Sequence, residues 1–151
     1  TGGEMLLVDI ACGSGFGSAI LSELGQGLGV DVDPDTVCYA VSHYGGNGRV
    51  SFRLGDANDR GFLGSLPRAH AIVSLATIEH LSDPSAFLEW VGQALLPGGA
   101  CVLGFPANFT RDWAAPHHRW DISQTKARRL FAERRLLSKY VSEPNASCCW
   151  G

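Results

Sequence analysis

The sequence predicts an α/β domain: an open, mostly parallel sheet wound with helices on both faces. Three observations predict it. Short apolar runs alternate with segments of helical periodicity along the chain, the signature of strands joined through crossover helices. Helix starts are marked by Asp33-Pro34 and Ser82-Asp83-Pro84, where an acid caps and a proline fits the first helical position. The first apolar run breaks into Gly13-Ser14-Gly15-Phe16-Gly17 before a helical pattern begins.

Met5 to Ala11 reads as a buried parallel strand and Ser18 to Leu24 as the first helix. Gly25 and Gly27 are expected to end that helix, and Leu28 to Val32 to form the second strand. The helix opened by Asp33-Pro34 places Val37, Ala40, Val41 and Tyr44 at i, i+3, i+4, i+7 on one face, and Gly45 to Gly48 stop it. Val50 to Leu54 is a third strand, Asp59 to Leu66 a short helix, and His70 to Leu75 a fourth strand. The next helix carries the stripe Phe87, Leu88, Val91, Ala94 and Leu95, with Pro97-Gly98-Gly99 as its stop. Ala100 to Phe105 is a fifth strand. Pro106 to Asp121 is a long loop rich in aromatics, and loops of that length are usually functional. Ser123 can cap a last helix, Gln124 to Arg134, with Ala127, Leu130 and Phe131 inward, and Leu136 to Val141 can be a sixth strand.

With 151 residues, 45% hydrophobic and 18% charged, the chain fits a single domain over 1–151 with a sizeable core. A net charge of -3 gives no general pull toward nucleic acid or anionic membrane. No apolar run is long enough for a membrane span. The five cysteines, Cys12, Cys38, Cys101, Cys148 and Cys149, form no CxxC, so reduced thiols in a cytoplasm are expected and no metal site.

In an open parallel sheet, ligands sit at the carboxyl ends of the strands. There the sequence places the glycine turn after strand one, Asp31 at the end of strand two, Asp56 after strand three, and Thr77, Glu79 and His80 after strand four. Asp31 lies 18 residues beyond Gly13, near the spacing at which an acid meets ribose hydroxyls in nucleotide-binding βαβ units. Asp33 reads as a helix cap.

The segments Asp9-Ile-Ala-Cys-Gly13-Ser-Gly15-Phe-Gly17, Gly29-Val-Asp31-Val-Asp33-Pro34, Gly55-Asp56-Ala57, Ile78-Glu79-His80-Leu81 and Leu95-Leu96-Pro97-Gly98-Gly99 occur in the order found in one family. In them the chain resembles the class I S-adenosylmethionine-dependent methyltransferases, in particular the small-molecule group known as type 11/12. The likeness covers residues 8 to about 106 and is looser in the histidine-containing loop that follows. It implies a Rossmann-like doubly wound sheet with S-adenosyl-L-methionine as cofactor and a small-molecule methyl acceptor, its hydroxyl the expected target. It also implies roles. Asp9 and the backbone of Ala11, Gly13 and Gly15 would meet the methionine end. Asp31 would hold the ribose, Val32 would pack on the adenine, and Asp56 beside Ala57 would accept from the adenine amino group. Leu75 would line the methionine moiety. His80 is the expected base if the acceptor must lose a proton, with His117 and His118 as further candidates.

Four other readings are open. A dinucleotide oxidoreductase is disfavoured because Ser18 stands where the G-x-G-x-x-G fingerprint needs its third glycine. An RNA methyltransferase is disfavoured because Ser74-Leu75-Ala76-Thr77 replaces the Asn/Asp-Pro-Pro-aromatic turn, and the basic residues from Lys126 to Lys139 read as a solvated face. The resemblance also implies lid helices before the first strand and a seventh, antiparallel strand. Little precedes Met5 and little follows Val141, so a piece of a longer chain is expected. A remnant without catalysis, or an interaction domain, is the fourth reading.

Overall fold

The computed structural model describes residues 4–106, 117–120 and 123–133. The chain runs β1 (Leu6–Ile10), α1 (Phe16–Leu21), β2 (Gln26–Asp31), α2 (Pro34–Tyr44), β3 (Val50–Leu54), α3 (Arg60–Gly64), β4 (Ala69–Leu75), α4 (Pro84–Ala94), β5 (Leu95–Gly104) and α5 (Gln124–Glu133). The five strands are all parallel, in the order β3-β2-β1-β4-β5. The chain therefore builds outward from β1 to β3, crosses back, and continues through β4 to β5. The direction reverses between β1 and β4, which makes their carboxyl ends the switch point where such sheets hold ligands.

Val8 lies opposite Leu28 on one side and Ile72 on the other. These residues, with Ile10, Val30, Leu63, Leu66, Leu81, Phe87 and Val91, form one buried cluster. Burying each such side chain is worth about 1.5–3 kcal/mol relative to exposure. A second, smaller cluster joins Ile78, Leu88 and Ala127 and seats α5 against α4.

The capping signals act as their chemistry requires. Asp33 accepts from the Asp35 N–H, Asp59 from the Gly61 and Phe62 N–H groups, and Asp83 from the Ala86 N–H. Three expectations are corrected. First, Gly27 does not stop α1; it lies inside β2, which begins at Gln26. A Cβ at Gly29 would sit 2.6 Å from Phe52 Cδ1 and 2.7 Å from Ser18 Oγ, so bare backbone at Gly27 and Gly29 lets α1 and Phe52 close onto the strand. Second, α4 stops at Ala94, before Pro97-Gly98-Gly99, and β5 starts at once. Ala69 pairs with Leu95 but Ala71 pairs with Ala100, so the Pro-Gly-Gly segment is taken up as a bulge. Gly98 there has φ +78°, and a Cβ at Gly99 would press on the His70 carbonyl. Third, α2 buries only Val37 and Ala40, while Val41 stays half exposed. The helix lies chiefly on β3, the edge strand, which covers only a narrow stripe. No helix among the described residues is long and apolar enough to cross a membrane. The expected sixth strand, Leu136 to Val141, lies outside the described residues.

Candidate functional site

The turn after β1 is held by backbone geometry. Ala11 (φ 60°), Gly13 (φ 54°) and Gly15 (φ 84°) are left-handed. The Cys12 N–H donates to the Val30 carbonyl at 2.9 Å, and the Gly15 N–H to the Cys12 carbonyl at 3.1 Å. The two glycines differ in their reasons. An added Cβ at Gly13 would meet nothing within 4 Å, so its surroundings are open. One at Gly15 would lie 2.7 Å from Ala40 Cβ and 2.8 Å from the Phe52 ring, so that position is closed to any side chain. Both the φ and the crowding demand glycine there.

Two carboxylates lie against this turn. Asp31, at the end of β2, accepts from the Gly13 N–H at 2.8 Å through Oδ2 and from the Asp33 N–H at 3.0 Å through Oδ1. The acid and the turn 18 residues earlier are thus bonded directly, and Asp31 remains partly exposed. Asp9 lies beneath, 6% exposed, and its Oδ2 accepts from the buried Ser18 hydroxyl at 2.7 Å. Burial pushes the Asp9 carboxyl above its ordinary range. The Ser18 bond works against that, and the neighbouring Asp31 charge adds to it. The Cys12 thiol is pushed up to about 12 by burial and by the charges of Asp9 and Asp31. Residues 1–48, which build this turn and its two neighbouring strands, contain no Lys or Arg. The turn therefore sits in negative potential and favours a cationic or neutral ligand over a phosphate.

Further along the same edge, the Gly55 N–H donates to the Asp31 carbonyl at 2.9 Å, placing the next residues beside β2. Asp56 is exposed. Its Oδ1 accepts from the Asn58 N–H and side-chain amide at 2.8 and 3.0 Å, and its Oδ2 takes neither bond. Ala57 is partly buried against the core. Val32 is 62% exposed and Leu75 56%, with Phe16 and Leu54 equally open. Large apolar side chains at the ends of β2, β3 and β4 thus rim the turn without cover among the described residues.

The segment after β4 forms a second group. Ala76 is left-handed (φ 52°) and donates to the Gly104 carbonyl at 2.8 Å. Ile78–His80 follow as one tight helical turn. His80 Nδ1 lies 3.2 Å from the His117 carbonyl, and its ring meets that of His118 edge to face at 4.8 Å. The Arg119 N–H donates to the Glu79 carbonyl at 2.7 Å, and Trp120 Nε1 to the Leu81 carbonyl at 2.6 Å. Residues 117–120 are thereby pinned to the post-β4 turn. Burial raises the Glu79 carboxyl above its usual range, against the pull of its own backbone and of His80 and His118. His80, expected as a base, thus stands with Glu79 and His118 in one group, a grouping that chain spacing did not reveal. His117 contributes its carbonyl to this group. Trp120 is held by Leu81 with Lys126 over its ring at 5.4 Å. Phe109 and Trp113, two other aromatics of the long loop Pro106 to Asp121, lie outside the described residues. The cleft between α3 and α4, lined by Asn58, Arg60, Asp83, Phe87 and Trp90, holds none of these acids or histidines.

The strand order and the acid-bearing turn define the doubly wound α/β class. The chain belongs to the methyltransferase domain family, whose profile matches residues 8–103. It is 32% identical over 153 residues to the ubiquinone biosynthesis O-methyltransferase of Azorhizobium caulinodans, covering 91% of this chain and 59% of the relative. It is 32% identical over 98 residues to the protein of that name from Cereibacter sphaeroides, covering 64% of this chain and 39% of the relative. The chain thus spans 59% or less of the length of these relatives. Its fold resembles the YcgJ protein of Bacillus subtilis, with a TM-score of 0.72, 23% identity, and cover of 87% of this chain and 61% of the other. It also resembles a SAM dependent methyltransferase of Aquifex aeolicus, with a TM-score of 0.66, 22% identity, and cover of 86% and 71%.

Proposed function

We propose that residues 1–151 act as one cofactor-binding domain of an S-adenosylmethionine-dependent O-methyltransferase whose acceptor is a small-molecule hydroxyl. The observation that carries this reading is the pair of carboxylates, Asp9 and Asp31, set against one glycine turn. A sulfonium and an ammonium suit that potential, and a pyrophosphate does not. When bound, the cofactor supplies an electrophilic methyl on a sulfonium whose departure is neutral.

The residues fit such a ligand. Each Asp31 oxygen accepts one backbone N–H, and a carboxylate has about four lone-pair sites, so capacity is left for a ribose diol. Asp56 Oδ2 and the Ala57 N–H suit an adenine amidine edge. The exposed Val32 offers the ring a face, and Leu75 does the same for the methionine chain. Ala11, Gly13 and Gly15 shape the turn against the methionine end, and buried Asp9 sets its charge from below. His80, beyond β4, takes the hydroxyl proton as the methyl is transferred. Placing the acceptor in line with the methyl is a proximity effect.

The names of the relatives support an O-methyl acceptor of the quinone class, in its reduced ring-hydroxyl form. The acidic balance supports a reading without nucleic acid. Unpaired Cys12, Cys38 and Cys101 among the described residues support a reducing, cytoplasmic setting. The test combines calorimetry with S-adenosylhomocysteine and transfer of labelled methyl from S-adenosylmethionine to a panel of ring diols. Binding in the micromolar range with label on a hydroxyl is expected. No binding would favour a remnant, and label found only in RNA or protein would overturn the acceptor class.

A further inference from the structure

We infer that Asn58 sets the base preference of the cofactor site, by fixing the Asp56 carboxylate in the orientation that reads an exocyclic amino group. Asp56 and Ala57 meet the adenine edge in the function proposed above. On that reading Asn58 touches the acid and not the ligand, which makes it a positioning residue.

The hydrogen bonds run in one direction. The Ser82 N–H and hydroxyl both donate to Asn58 Oδ1, at 2.7 and 2.8 Å. A backbone N–H only donates, so the amide oxygen faces Ser82 and the amide nitrogen is turned away from it. That nitrogen, Nδ2, donates to Asp56 Oδ1 at 3.0 Å, and the Asn58 N–H donates to the same oxygen at 2.8 Å. One residue thus holds Asp56 Oδ1 through two donors, and Oδ2 takes neither bond. Asp56 is exposed, and without such a hold its side chain would exchange among staggered rotamers.

Both ends of this chain of bonds are anchored. Ser82 stands between Leu81, buried in the main core, and Asp83, the cap of α4. On the other side the Gly55 N–H donates to the Asp31 carbonyl. A Cβ at Gly55 would collide with the Phe62 ring, so that ring closes over the backbone just before Asp56. The Arg60–Asp83 ion pair, 3.0 Å, joins the same two loops through other side chains.

Adenine donates from its amino group and accepts at N1. Hypoxanthine carries a carbonyl in place of the amino group and a hydrogen on N1. A fixed Oδ2 acceptor beside the Ala57 N–H matches the first base at both atoms and opposes the second at both. A carboxylate free to turn away gives up half of that opposition. The orientation of Asp56, and not its charge alone, is therefore the specificity element, and Asn58 supplies it.

The test uses the full chain and calorimetry with S-adenosylhomocysteine and its hypoxanthine analogue, S-inosylhomocysteine. The parent should prefer the adenine ligand by roughly 10- to 100-fold in Kd. Asn58→Ala should lower that ratio by about fivefold or more. Asn58→Asp keeps the acceptor for Ser82 but sets a like charge against Asp56 Oδ1, so it should lower the ratio at least as far. Should Asn58→Asp fold poorly, Asn58→Ala carries the test. Ser82→Ala, which removes one of the two donors, should have a smaller effect, and Arg60→Ala should keep the parent ratio. A ratio within about twofold of the parent in the folded Asn58 variants would overturn the inference, even if both affinities fell together, because a merely structural junction gives that result. Equal binding of the two ligands by the parent would overturn the adenine assignment and the role of Asn58 with it. No binding of S-adenosylhomocysteine by the parent would overturn the cofactor reading itself.

Discussion

Replacing Asp31 tests the clamp between β2 and the glycine turn. In Asp31→Ala the Gly13 and Asp33 N–H groups lose acceptors at 2.8 and 3.0 Å. Hydrogen bonds to a charged group are worth about 1.5–3 kcal/mol each when dry. Asp31 is only partly buried, so water replaces much of that, and a total of about 1–2 kcal/mol of folding stability is expected. For a chain of this size that is a fall in Tm of roughly 2–8 °C. The ligand effect is separate. Loss of the carboxylate from a ribose diol should cost about 1–3 kcal/mol of S-adenosylhomocysteine affinity, roughly 5- to 150-fold in Kd. Asp31→Asn keeps one acceptor, so its stability loss should be smaller while most of the affinity loss remains. Calorimetry at a temperature where all three proteins are folded separates the two quantities. A lowered Tm with Kd within twofold of the parent would reduce Asp31 to a structural clamp and refute the ribose assignment.

Four further outcomes are expected. Gly15→Ala combines left-handed strain with contacts at 2.7–2.8 Å and should cost about 2–4 kcal/mol in urea unfolding, whereas Gly13→Ala, facing open space, should cost about 1–2; equal losses would refute the crowding argument. Burial raises the Asp9 carboxyl, so its contribution to stability is full below the ordinary value of 3.8 and is lost as pH rises through the raised value. Asp9→Asn should therefore gain on the parent as pH rises above 3.8, and a pH-independent difference in urea midpoint would contradict this. Thermal shift with NAD should be smaller than with S-adenosylhomocysteine, and the reverse order would refute the phosphate-excluding reading of the turn. His80→Ala should lower methyl transfer by about 10²–10⁴ with cofactor affinity little changed, and near-normal turnover would leave His80 no part in proton transfer.

What was legible in the sequence is what the chain encodes locally. Asp33, Asp59 and Asp83 each bond an N–H two or three residues onward, so a short window holds the whole interaction. The alternation of apolar runs carried the sheet because every crossover is short. Gly27 and Gly29 misled because their reason is tertiary: Ser18 and Phe52 occupy the space that side chains would need. Glu79, His80 and His118 were legible as residues but not as a group. His80 and the His117 carbonyl stand 37 residues apart with α4 and β5 between them, and nothing in that spacing announces a meeting.

Ser18 shows how one position can be misread and still be informative. Against a dinucleotide fingerprint it is a missing glycine, a mark of absence only. In the structure its hydroxyl is the donor that holds the Asp9 carboxylate at 2.7 Å under the turn. A glycine there could not hold that acid, and an acid there repels the phosphates that the fingerprint serves. The exchange of glycine for serine and the presence of Asp9 nine residues earlier are therefore one feature. Ser18→Gly should leave a buried carboxylate oxygen without its donor, destabilise the chain by about 1–3 kcal/mol, and fail to create NAD binding. Acquisition of NAD affinity by that single change would show that the carboxylates do not set the charge preference of the turn.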